Sequence, residues 1–192
     1  GMRPTACDRI DCTPMRKHLA YLALAALLPV SCITEKNPPL ATEYVTVGTA
    51  CPPFVVSGAD GLRFEAPKDF AGRTTLLVFF ATWCPDCQAE LPAINAVWSS
   101  VAQEPVYNVV AVSRGGAKGR YEQNPDILDR YWSEHDLQMP WYLDGDRSVY
   151  DRFASAGIPR VYIVNDTGTV VWQAAAPRLD AADYLALLRQ YR

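Results

Sequence analysis

The stretch TTLLVFFATWCPDCQAELPAINAVW, residues 74–98, decides the fold. Its first part, TTLLVFFA (74–81), is an unbroken β-branched and aromatic run. Such a run predicts a strand buried on both faces, the kind that fills the middle of a sheet. Over 85–102 the apolar residues Leu91, Ile94, Trp98 and Val101 recur at spacings of three, four and three, the period of a helix. Between strand and helix lies Trp83-Cys84-Pro85-Asp86-Cys87.

Two cysteines three apart at a helix start have definite chemistry. The first thiol sits where free N–H groups and the helix dipole favour an anion. The thiolate is the attacking species. The second lies about one turn inside, able to close a disulfide yet shielded. Cys84 is therefore expected to be the exposed nucleophile and Cys87 the resolving thiol. Pro85 suits the first helical turn, where its missing N–H costs nothing. Three blander readings compete: a structural disulfide, half of a zinc site, and a pair of core thiols. A staple gains little at an exposed helix start. Zinc needs two further ligands, and downstream there is only His135. Cys7 and Cys12 precede the expected translation start.

Outward from this centre the pattern alternates strands and helices. VVSGADGLRFE (55–65) reads as a hairpin and VYNVVAVS (106–113) as a second buried strand. Residues 113–125 read as a surface loop. A helix is expected over Asp126–His135 with Ile127, Tyr131 and Trp132 inward, a short strand at Trp141–Leu143, and a short helix at Arg147–Ala154. Arg160–Asn165 and Thr169–Gln173 form strands joined by Asp166-Thr167-Gly168. Leu179–Tyr191 closes the chain as an amphipathic helix, with Leu179, Tyr184, Leu187 and Leu188 on one face. Together these imply an α/β layered domain with an antiparallel edge. Trp132, Trp141 and Trp172 read as core residues rather than a substrate groove.

The N-terminal segment concerns address. Gly1 before Met2 looks like a tag-removal scar, and Met15 is the expected start. Arg16, Lys17 and His18, then apolar Leu19–Leu28, then Ser31 before Cys32, have the order of a secretory signal. The division of the chain is then 1–31 for scar, over-extended start and signal peptide, 32–44 for a polar tether, and 45–192 for the domain. The 192 residues are 49% hydrophobic with a formal charge of −3, which leaves no broad basic footprint and makes nucleic acid an unexpected partner.

FFATWCPDCQAELP (79–92) resembles the active-site segment of the thioredoxin superfamily, and is most similar to its exported TlpA/ResA-like thiol–disulfide oxidoreductases. VGTACPPF (47–54) and YLDGDRSVYDRFASAGIPRVYIVNDTG (142–168) carry the likeness to both ends of the domain. The resemblance implies a thioredoxin-like three-layer α/β/α fold with a central mixed sheet and an extra N-terminal hairpin. It implies a Cys84/Cys87 dithiol–disulfide cycle with no other cofactor and no metal, acting on disulfides in exported proteins, with cytochrome c maturation as one family role. Ile158-Pro159 matches the family's cis-proline loop, which faces the cysteines and pairs with an extended substrate. With Trp83, Pro85 and Asp86 it makes the expected substrate-binding set. Glu90 matches a glutamate that tunes cysteine acidity and relays protons; its bland reading is a solvated carboxylate. Val78 stands where thioredoxins bury an aspartate. Asp86 is expected to oppose thiolate formation and make the protein a reductant. Cys32 resembles the lipidated cysteine of bacterial lipoproteins, though Leu28 lies four residues ahead where three is usual. The expected partners are disulfide-bearing envelope proteins, a membrane thiol donor and, through the lipid, the membrane; the expected place is the periplasm, as an anchored monomer. Cys51 reads as a buried free thiol or a disulfide partner of Cys84. Two rivals stand: a redox-inert peptide-binding module of the same fold, and a peroxiredoxin-like peroxidase, which needs a threonine where Ala81 lies.

Overall fold

A computed structural model describes residues 41–115 and 124–192. The scar, the signal, Cys7, Cys12, Cys32, the tether up to residue 40 and loop residues 116–123 lie outside the described residues. Seven strands form one sheet: β1 (Phe54–Gly58), β2 (Arg63–Ala66), β3 (Thr74–Phe80), β4 (Tyr107–Arg114), β5 (Trp141–Asp144), β6 (Arg160–Val164) and β7 (Val170–Ala175), in the order β2-β1-β5-β4-β3-β6-β7. β3, β4 and β5 are parallel, while β1, β6 and β7 run antiparallel to their neighbours. This is the mixed sheet of a thioredoxin-like α/β fold, with the hairpin β1–β2 added at one edge and β6–β7 closing the other.

β3 lies inside the sheet, between β4 and β6, and every one of its residues is buried. Side chains on a strand alternate between faces. Leu76, Val78 and Phe80 point to one core, Leu77 and Phe79 to the other. The first core is roofed by α1 (Pro85–Val101), α2 (Pro125–Glu134) and α3 (Ala181–Gln190), which contribute Leu91, Ile94, Leu128, Trp132, Tyr184 and Leu188. The second outer layer is thinner. It is built from residues around Val45 and Cys51 and from short 3-10 turns that place Phe70, Tyr150 and Phe153 against the sheet. One glycine is dictated by contact: a Cβ on Gly58 would lie 2.2 Å from the Trp141 carbonyl oxygen, so only glycine lets β1 pack beside β5 here.

Several expectations shift. The helix over Arg147–Ala154 contracts to a 3-10 turn at Tyr150–Arg152. Arg147 has φ +67°, which no helix accommodates, and the Asp144 carboxylate accepts from the Val149 and Tyr150 amides instead. In α2 the inward residue is Leu128, with Ile127 only half-buried. In α1 it is Val97 rather than Trp98. Asp180 caps α3 by accepting from the Asp183 amide, so Leu179 precedes the helix. The end of the expected tether is part of the domain: Thr42 and Ser155 exchange hydrogen bonds, and the Tyr44 amide donates to the Phe153 carbonyl at 2.9 Å. Trp132 and Trp141 are core residues, as read, and Trp172 packs edge-on against Tyr184.

Candidate functional site

Cys84 is the N-cap of α1 and Pro85 its first residue, so the thiol stands where the helix leaves amide groups unpaired. Cys84 is 7% exposed and Cys87 is fully buried. The expectation of an openly exposed nucleophile is corrected here: Cys84 keeps only a sliver of surface. The cover comes from Ile158, whose carbonyl oxygen lies 3.6 Å from the Cys84 Sγ. The asymmetry survives, since only the first sulfur can be reached from outside. Both cysteines are free thiols. Burial, and then the hydrogen bond to Cys84, pushes the Cys87 thiol up; a backbone hydrogen bond at Ala81 and the Arg114 charge act weakly against this.

The Ile158–Pro159 peptide is cis, and it seats the segment before β6 directly over the dithiol. Pro159 is buried, Ile158 half-buried, and Trp83 is 37% exposed beside them. Pro85 and Asp86 are exposed. Asp86 does not face Cys84 as an uncompensated charge. Arg178, arriving from the loop between β7 and α3, donates to it at 3.1 Å. Both side chains are largely in solvent, so the pair is weak, but it offsets the repulsion expected of Asp86. Arg178 and Ala176 both have left-handed backbone, at φ +51° and +46°. A groove of about 680 Å³ runs here between α1 and that loop, lined by Asp86, Ala89, Pro92, Arg178 and Leu179.

Glu90 is buried, at 3% exposure, which removes the solvated reading. Its Oε1 accepts from the Tyr184 hydroxyl and from the Leu179 amide at 3.4 Å. Burial first, and then this bond to Glu90, pushes the Tyr184 phenol far up. Arg114 lies beside the site, its guanidinium 4.9 Å from the Tyr150 ring centre and 5.9 Å from that of Trp83. Val78 is fully buried above Cys87's core, so no carboxylate occupies that position. Cys51 belongs to the core on the other face of the sheet, which rules out a disulfide with Cys84. Burial pushes its thiol up to about 12. Arg114, Arg178 and Tyr184 escape sequence reading as site residues, because each reaches the site from an element distant from Cys84 in the chain. Among the described residues no three His, Cys, Asp or Glu side chains converge to hold a metal, and no helix is long and apolar enough to cross a membrane.

Residues 47–173 match the model of the AhpC/TSA family. A thiol–disulfide oxidoreductase ResA of Bacillus subtilis is 26% identical over 149 residues, 77% of this chain and 78% of that protein. The ResA of Geobacillus thermodenitrificans is 28% identical over 159 residues, 81% of this chain and 83% of its own. Among solved structures, StoA from Bacillus subtilis superposes with a TM-score of 0.58 at 22% identity, covering 71% of this chain and 96% of StoA.

Proposed function

The chain belongs to the AhpC/TSA family of thioredoxin-like proteins, and from that premise we propose that it is an exported thiol–disulfide oxidoreductase. The observation that carries the reading is the asymmetric dithiol: Cys84 heads α1 beneath Ile158-cis-Pro159, with Cys87 sealed one turn behind. As a thiolate, Cys84 attacks one sulfur of a substrate disulfide. A Cys84–substrate disulfide forms, the substrate S–S bond breaks, and the departing sulfur takes up a proton. Cys87 then loses its proton and attacks the Cys84 sulfur. The mixed disulfide breaks, the second substrate thiol leaves, and the protein holds a Cys84–Cys87 disulfide. Two electrons have passed to the substrate, and the pair itself is the only redox group required.

Substrate recognition falls to Trp83, Pro85, Asp86, Ile158 and Pro159, with an extended segment pairing alongside Ile158. Glu90 serves the site as its buried carboxylate, able to pass the proton released from Cys87. Disulfides of envelope proteins, including apocytochromes c awaiting haem, are the proposed substrates. A membrane thiol donor returns the electrons, because the periplasm is oxidising. Export follows from the signal at residues 15–31, and Cys32 is the proposed lipid attachment point. The peroxidase rival lacks its threonine, since Ala81 stands there.

Insulin reduction tests the reading. Wild type should accelerate precipitation of the insulin B chain, and Cys84→Ser should be inert. Equal behaviour of the two would leave a peptide-binding module. Faster turnover with hydrogen peroxide than with insulin would favour the peroxidase.

A further inference from the structure

Glu43 reaches the redox site from the far end of the sequence. Arg160 directly follows Pro159 and is 3% exposed. Its Nη2 and Nε donate to the Ala156 carbonyl at 2.6 and 3.1 Å, and its Nε also to the Tyr150 hydroxyl at 3.3 Å. The Tyr150 hydroxyl in turn donates to the Gly157 carbonyl at 2.6 Å. Two successive carbonyls of the exposed segment before Ile158 are therefore held from beneath, that of Ala156 by the guanidinium fork and that of Gly157 by the Tyr150 hydroxyl bonded to it. Glu43 anchors that fork: Oε2 accepts from Arg160 Nη1, and Oε1 accepts from the Tyr162 hydroxyl at 2.8 Å. Thr42 and Ser155 are joined alongside, and Glu43 bridges to Ala154, so residues 42–44 lie against the chain just before this segment.

A buried guanidinium is tolerated only when paired and hydrogen-bonded. Without the carboxylate the guanidinium loses its charge partner, and its hold on the Ala156 carbonyl weakens. No strand or helix fixes residues 155–159; Ser155 is tied to Thr42 and Arg147 and the Pro159 carbonyl accepts from the Ala176 amide, while between these ends the Ala156 carbonyl rests on this fork.

We propose that Glu43 is a positioning residue of the redox site: through Arg160 it sets the Ala156–Pro159 segment against Cys84, and thereby sets affinity for a peptide strand bearing a disulfide. The proposal rests on the thiol–disulfide function proposed above. A small disulfide needs only Cys84 and is indifferent to the segment's position.

The test uses the full chain with Glu43→Ala and Glu43→Gln, with Arg63→Ala at the remote Arg63–Glu65 pair as control. Each is assayed with a disulfide-closed peptide and with the small aromatic disulfide DTNB. In Glu43→Ala, KM for the peptide should rise about tenfold with kcat within about twofold, and the DTNB rate should hold. Glu43→Gln loses the charge and keeps one acceptor oxygen, enough for Arg160 while Tyr162 can turn to accept from the amide, and should fall between, while Arg63→Ala matches wild type. An unchanged KM, or equal losses on peptide and DTNB, overturns the proposal; should Glu43→Ala not fold, Glu43→Gln decides on the same criteria. If wild type reduces neither substrate, the redox function itself fails. If wild type is active and the Glu43 variants equal it, only this inference fails.

Discussion

Cys84 and Cys87 are separated by one helical turn and by what surrounds each sulfur. Attack needs access and release needs proximity, so substitution at the two positions should have different consequences. Cys87→Ala should still attack substrate but be unable to release it, and covalent adducts on Cys84 should accumulate on non-reducing gels. Absence of any adduct would mean that Cys84 is not the attacking atom. Because burial holds the Cys87 thiol up, release by wild type should quicken as pH rises from 6 to 9, followed by stopped flow on the preformed mixed disulfide. Burial also disfavours a charged reduced state, which favours the disulfide. The reduction potential should therefore lie nearer the thioredoxin value of about −270 mV than the DsbA value of about −120 mV. Asp86 contributes less to this than its charge implies, since Arg178 is beside it. A glutathione titration ending near the DsbA value would falsify the reducing role.

At the scale of elements, α1 carries the nucleophile, so its seating on β3 matters more than its own propensity. Leu76 is fully buried in β3 beneath the helices. Leu76→Ala should cost about 2–5 kcal/mol in urea unfolding, through lost transfer energy plus a residual cavity. Asp180 begins α3, which lays Tyr184 against Glu90. Asp180→Ala should cost about 1 kcal/mol, the usual loss of an N-cap, with Cys84 chemistry unchanged. A loss of activity larger than the loss of stability would show that α3 does more than pack. Elements with strong internal pattern were readable from residues alone: β3 as an unbroken apolar run, α1 by its three-four-three spacing. The expected helix at 147–154 was not, because its fate depends on Asp144 capping it from another strand and on one left-handed residue.

Across the described residues two cores lie on opposite faces of one sheet, and titratable groups are buried in both. Cys87 and Tyr184 lie in one, Cys51, Tyr142 and Tyr162 in the other. Burial raises all five. A thiol or phenol raised on folding stays protonated in the native state while the unfolded chain ionises. Above the unfolded values the unfolded state binds fewer protons, so stability falls as pH rises. The window opens at about 9 with the thiols and continues past about 10 with the phenols, up to the folded values near 12 of Cys51 and Tyr142. Urea midpoints should be flat from pH 6 to 8 and fall steadily from pH 9 to 11. A midpoint constant across that range would mean these groups are solvated in solution.

Residues 74–98 by themselves determined the strand–dithiol–helix unit, its polarity and the order of the two sulfurs, because periodicity and helix-end chemistry are properties of neighbours in the chain. The match at Ile158-Pro159 located the segment facing them. Tertiary structure alone decided how little of Cys84 is left open, that Glu90 is buried on Tyr184, that Arg178 sits on Asp86, and that Glu43 holds Arg160. Those pairs are 92, 94 and 117 residues apart for Arg178–Asp86, Tyr184–Glu90 and Arg160–Glu43. No local pattern encodes them, since a charged or hydroxylated side chain at an element's end acquires its partner only when packing closes the distance.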